Sequence, residues 1–206
     1  MCNKNFFRRV CLALLTAGII FTGCSKDDPP PKASNFTSPA EIVSNPSVAK
    51  ALNDAGVSVY DGNTPPLNLA GEYSTDGIVV NSSDGLSEMI GRTFQSTFIL
   101  SNQSSSGTID FTEKVQGITA AGSGGYITGK DGNFTIYQES KQSGLEAGLP
   151  PGISVTVVLI MSGTKANNGN LTNMKGISIF TEVNNRSYNL IIGQWWQWAA
   201  SFYLVE

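Results

Sequence analysis

Histidine is absent from all 206 residues, and the cysteines fall only at Cys2, Cys11 and Cys24, so nothing beyond residue 24 carries an imidazole or a thiol. Ser-His-Asp and Cys-His catalysis, imidazole zinc sites and histidine-ligated haem are excluded together. No disulfide framework can form downstream of Cys24. Chemistry would have to rest on carboxylates, lysine, tyrosine or serine, and a metal would need oxygen ligands. No cofactor is implied, and no catalytic set stands out. Charge is scarce as well: 14% of residues are Asp, Glu, Lys or Arg. No basic patch is visible, which argues against nucleic acid as a partner.

What is present begins with a charged opening, Lys4, Arg8 and Arg9, followed by the apolar run from Val10 to Phe21. That run matches the h-region of a signal peptide and is too short to span a bilayer. Phe21-Thr22-Gly23-Cys24 resembles the lipobox of bacterial lipoproteins, with Phe where that family more often has Leu. The resemblance implies that residues 1–23 are a signal peptide and that Cys24 is acylated and becomes the new N-terminus. Ser25-Lys26-Asp27-Asp28 is similar to the acidic tether after the lipid cysteine in lipoproteins of Bacteroidota. It implies an outer-membrane location, lipid-anchored and facing the cell exterior, whereas an acidic linker of no further meaning would leave the domain facing the periplasm. Without the first three cations, ten Lys and Arg stand against sixteen Asp and Glu, a formal charge of about −6.

Residues 24–37 read as a tether, stiffened by Pro29-Pro30-Pro31 and, as the lipobox resemblance implies, lipidated at Cys24, and residues 38–206 read as one domain. Ser38-Pro39-Ala40-Glu41 combines a capping Ser, Pro at the first helical position and Glu three residues after the cap. Asn45-Pro46 starts a second short helix with Val48, Ala51 and Leu52 on one face, and Gly56 stops it. Thereafter the grammar is of strands. Val57–Tyr60, Gly71–Val80, Thr93–Asn102, Thr108–Glu113, Tyr126–Thr128, Phe134–Glu139, Ile153–Ser162, Met174–Val183, Tyr188–Ile192 and the aromatic end of the chain read as β, joined by short polar turns. Asp131-Gly132 is a type I′ hairpin turn. Gly122-Ser123-Gly124-Gly125 reads as a loop, since neither a helix nor Gly-Lys-Ser/Thr follows it. Ile153–Ser162 is apolar on both faces in its second half and is expected to be the most buried strand. The fold class is therefore mainly β, an antiparallel barrel with a short N-terminal helix, the alternative being a β-sandwich.

Gly71-Glu72-Tyr73 at the start of the first long strand, after a helix and before a run of hairpins, resembles the Gly-x-Trp signature of lipocalin-type barrels. The likeness implies a lipocalin-like barrel whose aromatic closes the floor. The family's closing Arg has no counterpart, because no Lys or Arg follows Arg186. The stretch from Tyr60 to Tyr73 is also similar to Bacteroidota lipoproteins with which no activity is associated.

Three features are candidates for a site. Trp195, Trp196 and Trp198 are all the tryptophan in the chain, and in a strand Trp196 and Trp198 share one face while Trp195 points away. They would either stack on a ligand or plug the barrel and pack the N-terminal helix. Phe98, Tyr137 and Trp196 are expected to line the barrel interior and to suit a small lipid-like or glycan ligand. Asp110 and Glu139 lie on neighbouring hairpins and offer the two carboxylates of a glycoside hydrolase, but solvated strand faces are the favoured account of Glu72, Asp110, Glu113 and Glu139. The functional expectation is a membrane-anchored lipoprotein binding a lipid-like or glycan ligand. The alternatives are a structural or partner-binding envelope protein and, third, a two-carboxylate hydrolase.

Overall fold

The computed structural model describes residues 36–115, 118–143, 150 and 152–205. The expected signal peptide, Cys24 and the expected tether as far as residue 35 lie outside them. Among the described residues eight strands close into one antiparallel barrel in chain order. They are β1 (Gly71–Ser82), β2 (Thr93–Ser101), β3 (Thr108–Val115), β4 (Ile118–Lys130), β5 (Asn133–Ser143), β6 (Ser154–Lys165), β7 (Leu171–Val183) and β8 (Trp195–Leu204). β1 pairs with β2 on one side and with β8 on the other, from Tyr73 opposite Leu204 to Ser82 opposite Trp196. Closure leaves neither a sheet edge nor a second sheet, so the architecture is the lipocalin-like barrel and not the sandwich.

The helices follow from their caps. α1 (Pro39–Ser44) starts where the Ser38 hydroxyl accepts the Glu41 N–H, and the Glu41 carboxylate in turn accepts from the Thr37 N–H and hydroxyl. α2 (Pro46–Ala55) starts where Asn45 accepts from the Ser47 and Val48 N–H groups, and it ends on Gly56 at φ 61°. The left-handed conformation there is one a Cβ would disfavour. Both helices lie against the outer wall: Ile42, Val48 and Ala51 form one cluster with Tyr137, Val158, Ile160, Ile177, Ile179 and Trp195. β6 is thus covered by the lumen on one face and by helices on the other, which is why Val155 to Gly163 is buried without interruption.

Three expectations are corrected. Val57–Tyr60 joins no ladder. It crosses the outer wall on side-chain bonds, with the Ser162 hydroxyl donating to the Ser58 carbonyl and the Tyr60 N–H to the Thr135 hydroxyl. Tyr188–Ile192 belongs not to a strand but to a 3₁₀ turn, η2 (Arg186–Ile191), opened by the Asn185 side chain accepting the Ser187 N–H. Residues 122–125 lie inside β4, where the register with β3 shifts between Ile109 and Phe111. Glycines expected to form a loop are here the bulged part of a strand. The turn at Asp131-Gly132 has φ of 55° and 82°, as type I′ requires.

The two ends of the barrel differ. The lower end is stoppered by Leu69, fully buried, whose segment is held by bonds from its N–H to Gln103 and from the Lys165 ammonium to the Leu67 and Asn68 carbonyls. Tyr73 stands at this end, as Gly71-Glu72-Tyr73 implies. Its hydroxyl donates to the Leu69 carbonyl and its ring leans on Phe202, 6.3 Å between centroids, in place of an Arg. The upper end carries η1 (Asp84–Met89), between β1 and β2, and η2, between β7 and β8. Leu86, Met89 and Ile191 reach down from these turns onto Val79, Val155, Val157 and Phe180.

Candidate ligand-binding lumen

Strand alternation decides which side chains enter the lumen. The lower half is aromatic: Phe98 lies 4.6 Å from Phe202, 5.2 Å from Phe111 and 6.1 Å from Trp198, ring centroid to ring centroid. Each such pair adds about 0.5–1.5 kcal/mol to the burial of its area. Two of the rings lie flat because glycine stands behind them. A Cβ on Gly77 would sit 2.2 Å from the Phe94 ring, and one on Gly176 would sit 2.1 Å from the Trp198 ring.

Among these rings the inward face also carries polar groups, Thr75 being level with Phe202 and one inward step below the Gly77–Phe94 pair. Thr75 on β1 and Ser96 on β2 are cross-strand partners, and both hydroxyls are buried without a hydrogen-bond partner. Glu113 on β3 shares its face with Ile109 and Phe111 and stands opposite Phe98. Burial pushes its carboxyl up to about 7 from 4.5; Ser96 lies near enough to favour the ionised form slightly, yet not in good hydrogen-bond geometry. Gln138 on β5 lies across Gly122 and Gly125, gives its amide N–H to the Glu139 carbonyl, and leaves Oε1 buried and unpaired. Buried polar atoms normally find partners, so a group of such orphans inside one barrel marks a place for something else.

The lumen is also reached by solvent. Phe94, Glu113, Trp196 and Ala200 occupy inward positions and are nevertheless only partly buried. Trp196 bridges the two levels, packing against both the aromatic floor and the upper cluster, with Phe180 5.5 Å away.

The expected site residues divide accordingly. Phe98, Trp196 and Trp198 come together in the lumen. Trp195 points away and packs under the helices. Tyr137 is a correction: it faces outward into the helix-covered cluster, because Phe134, Ile136 and Gln138 take the inward positions of β5. Burial raises its phenol above the ordinary value. Asp110 and Glu139 do not face each other across the lumen. Asp110 is on the outer wall, accepting from the Gly124 N–H and the Asn102 amide, and Glu139 is on the outer wall at 8% exposure. Glu113, expected from its residue type to be solvated, is the carboxylate that enters the barrel. Its alternation with Ile109 and Phe111 is the signal in the sequence that points inward.

A concavity of about 310 Å³ lies on the outer wall near the upper rim, among Lys141, Ser154, Thr156, Thr181, Glu182 and Asn184. Its polar groups are largely committed to the protein: Thr156 donates to Glu182, and Asn184 bonds the Ser154 N–H and the Gly152 carbonyl. The lumen has the stronger claim because its polar groups are not.

Comparison with protein-family models, curated proteins and solved structures finds no significant match to this chain.

Proposed function

We propose that the protein is a lipid-anchored lipoprotein of the outer membrane, facing the cell exterior, whose barrel holds a small amphipathic ligand. The observation that carries the reading is the set of inward side chains, Phe94, Glu113 and Trp196, that solvent still reaches. Aromatic rings interleaved with a few unpaired polar groups are the composition of a ligand pocket, apolar for affinity with few polar groups for orientation. The outward placement of Asp110 and Glu139 favours binding over the two-carboxylate hydrolase alternative.

Native mass spectrometry of the protein isolated from its own envelope tests the reading, with the adduct identified after organic extraction. A stoichiometric adduct, lost on extraction and accompanied by a higher melting temperature, is expected. If no adduct is found and a panel of lipids and glycans leaves both the melting temperature and the tryptophan emission unchanged, the lumen is not a binding site.

A further inference from the structure

The chemistry of the unpaired groups narrows the ligand further, resting on the lumen-binding reading just given. Gln138 Oε1 can only accept a hydrogen bond, and one hydrogen of the same amide is given to the Glu139 carbonyl. The Thr75 and Ser96 hydroxyls can accept as well as donate. Glu113 brings carboxylate oxygens to the same lumen, and no cation among the described residues pairs with it. The inward positions of the neighbouring strands, Thr75 and Gly77 on β1, Ser96 and Phe98 on β2, carry no lysine or arginine. Arg92, just before β2, is engaged through its Nε with the Glu88 carbonyl. Phe94, Trp196 and Trp198 belong to or pack on the same inward cluster, and aromatic faces attract cations. The site is thus rich in acceptors, poor in donors and lacking one positive charge.

We propose that the lumen takes an organic amine: a protonated primary or secondary amino group donating to Glu113 and to the hydroxyls of Thr75 and Ser96, with its apolar body on Trp196, Trp198 and Phe98. An ammonium supplies both the missing charge and the missing donors, and charge-assisted bonds of this kind are about twice as strong as neutral ones. A carboxylate head group would meet Glu113 as a like charge and would leave Gln138 Oε1 without a donor.

Three probes of one chain length separate the head groups: octylamine, octanol and octanoate, titrated at pH 8 into the full chain carrying Cys24→Ala and followed by tryptophan emission and melting temperature. Two of the three tryptophans, Trp196 and Trp198, belong to the site, so a change in emission on binding reports it, with Trp195 on the outer wall as background. Octylamine is expected to bind about tenfold tighter than octanol, and octanoate weakest, a tenfold step corresponding to about 1.4 kcal/mol. Glu113→Gln should bring octylamine to within about threefold of octanol, both measured on the same variant. Octanol or octanoate binding as tightly as octylamine overturns the amine while leaving lumen binding standing. An amine preference that survives in Glu113→Gln overturns it in the same way. No response to any of the three overturns both. Should the variant fail to fold, the ranking of the three probes on unaltered lumen residues still decides.

Discussion

Thr75 and Ser96 face each other across the β1–β2 ladder, both inside the barrel, and neither hydroxyl has a partner. An unpaired buried hydroxyl costs about 1–3 kcal/mol relative to a satisfied one. Removing it from the empty protein should therefore be neutral or helpful. Thr75→Val and Ser96→Ala are each expected to leave urea stability unchanged or to raise it by about 1 kcal/mol, while weakening octylamine binding several-fold. A loss of stability above about 1 kcal/mol in both variants would show that the hydroxyls serve the fold through bound water.

Glu113 makes stability depend on pH in a definite direction. The folded protein holds this proton up to about pH 7, and the unfolded chain releases it near 4.5. Between those values the folded state binds more protons, so stability is greatest below 4.5 on this account and falls as pH rises towards 7, beyond which the loss is complete. The shift corresponds to at most about 3 kcal/mol, and the residual solvent contact of Glu113 brings it lower. Glu113→Gln should abolish this slope and leave the variant more stable than wild type at pH 8. Denaturant melts at pH 5 and pH 8 measure it, and parallel losses in both proteins would rule it out.

Much of the barrel is legible in the sequence because it rests on local rules. The Asn45 and Gly56 caps, the Asp131-Gly132 turn and the alternation of Thr108 to Glu113 each follow from the chemistry of a few residues. Gly71-Glu72-Tyr73 points to the closed end, although Phe202 and the Leu69 carbonyl stand in for the basic residue. What the sequence hides is what needs tertiary structure. β5 is buried on both faces over Phe134–Glu139, and which face sees the lumen depends on helices from distant sequence, so the pattern alone misplaces Tyr137 inside. Residue type puts Glu113 in solvent and register puts it in the barrel, and register wins. Tyr188–Ile192 has the composition of a strand, but it forms a turn that sends Ile191 into the upper cluster.

The anchor is testable apart from the barrel. If residues 1–23 are removed and Cys24 is acylated, a fatty-acid probe fed to cells should label the wild type and spare Cys24→Ala. The several acyl chains of a bacterial lipoprotein would hold it stably in the membrane. Equal labelling of both proteins would end the lipoprotein reading. Protease treatment of intact cells, degrading the domain without lysis, is expected from an exterior orientation.

Trp195 and Trp196 are neighbours in sequence and opposites in structure, so their variants should part company. Trp195 is 5% exposed on the outer wall, in one cluster with Val48 and Ala51 of α2 and with Ile177 and Ile179 of β7. Truncating it opens a hole between helix and sheet that neither element can close without moving. Trp195→Ala should cost about 3–5 kcal/mol, in the range for large-to-small core changes, with octylamine still recognised by the folded fraction. Trp196 is only partly buried and borders the solvent-reached part of the lumen. Less area is lost on truncation, so Trp196→Ala should cost about 1–2 kcal/mol, following the area rule, and should weaken octylamine binding by more than tenfold. Urea melts give the stabilities, and emission from the tryptophans left in each variant gives the binding. A Trp196→Ala protein that binds octylamine as tightly as wild type would remove Trp196 from the pocket, and with it the upper wall of the proposed site.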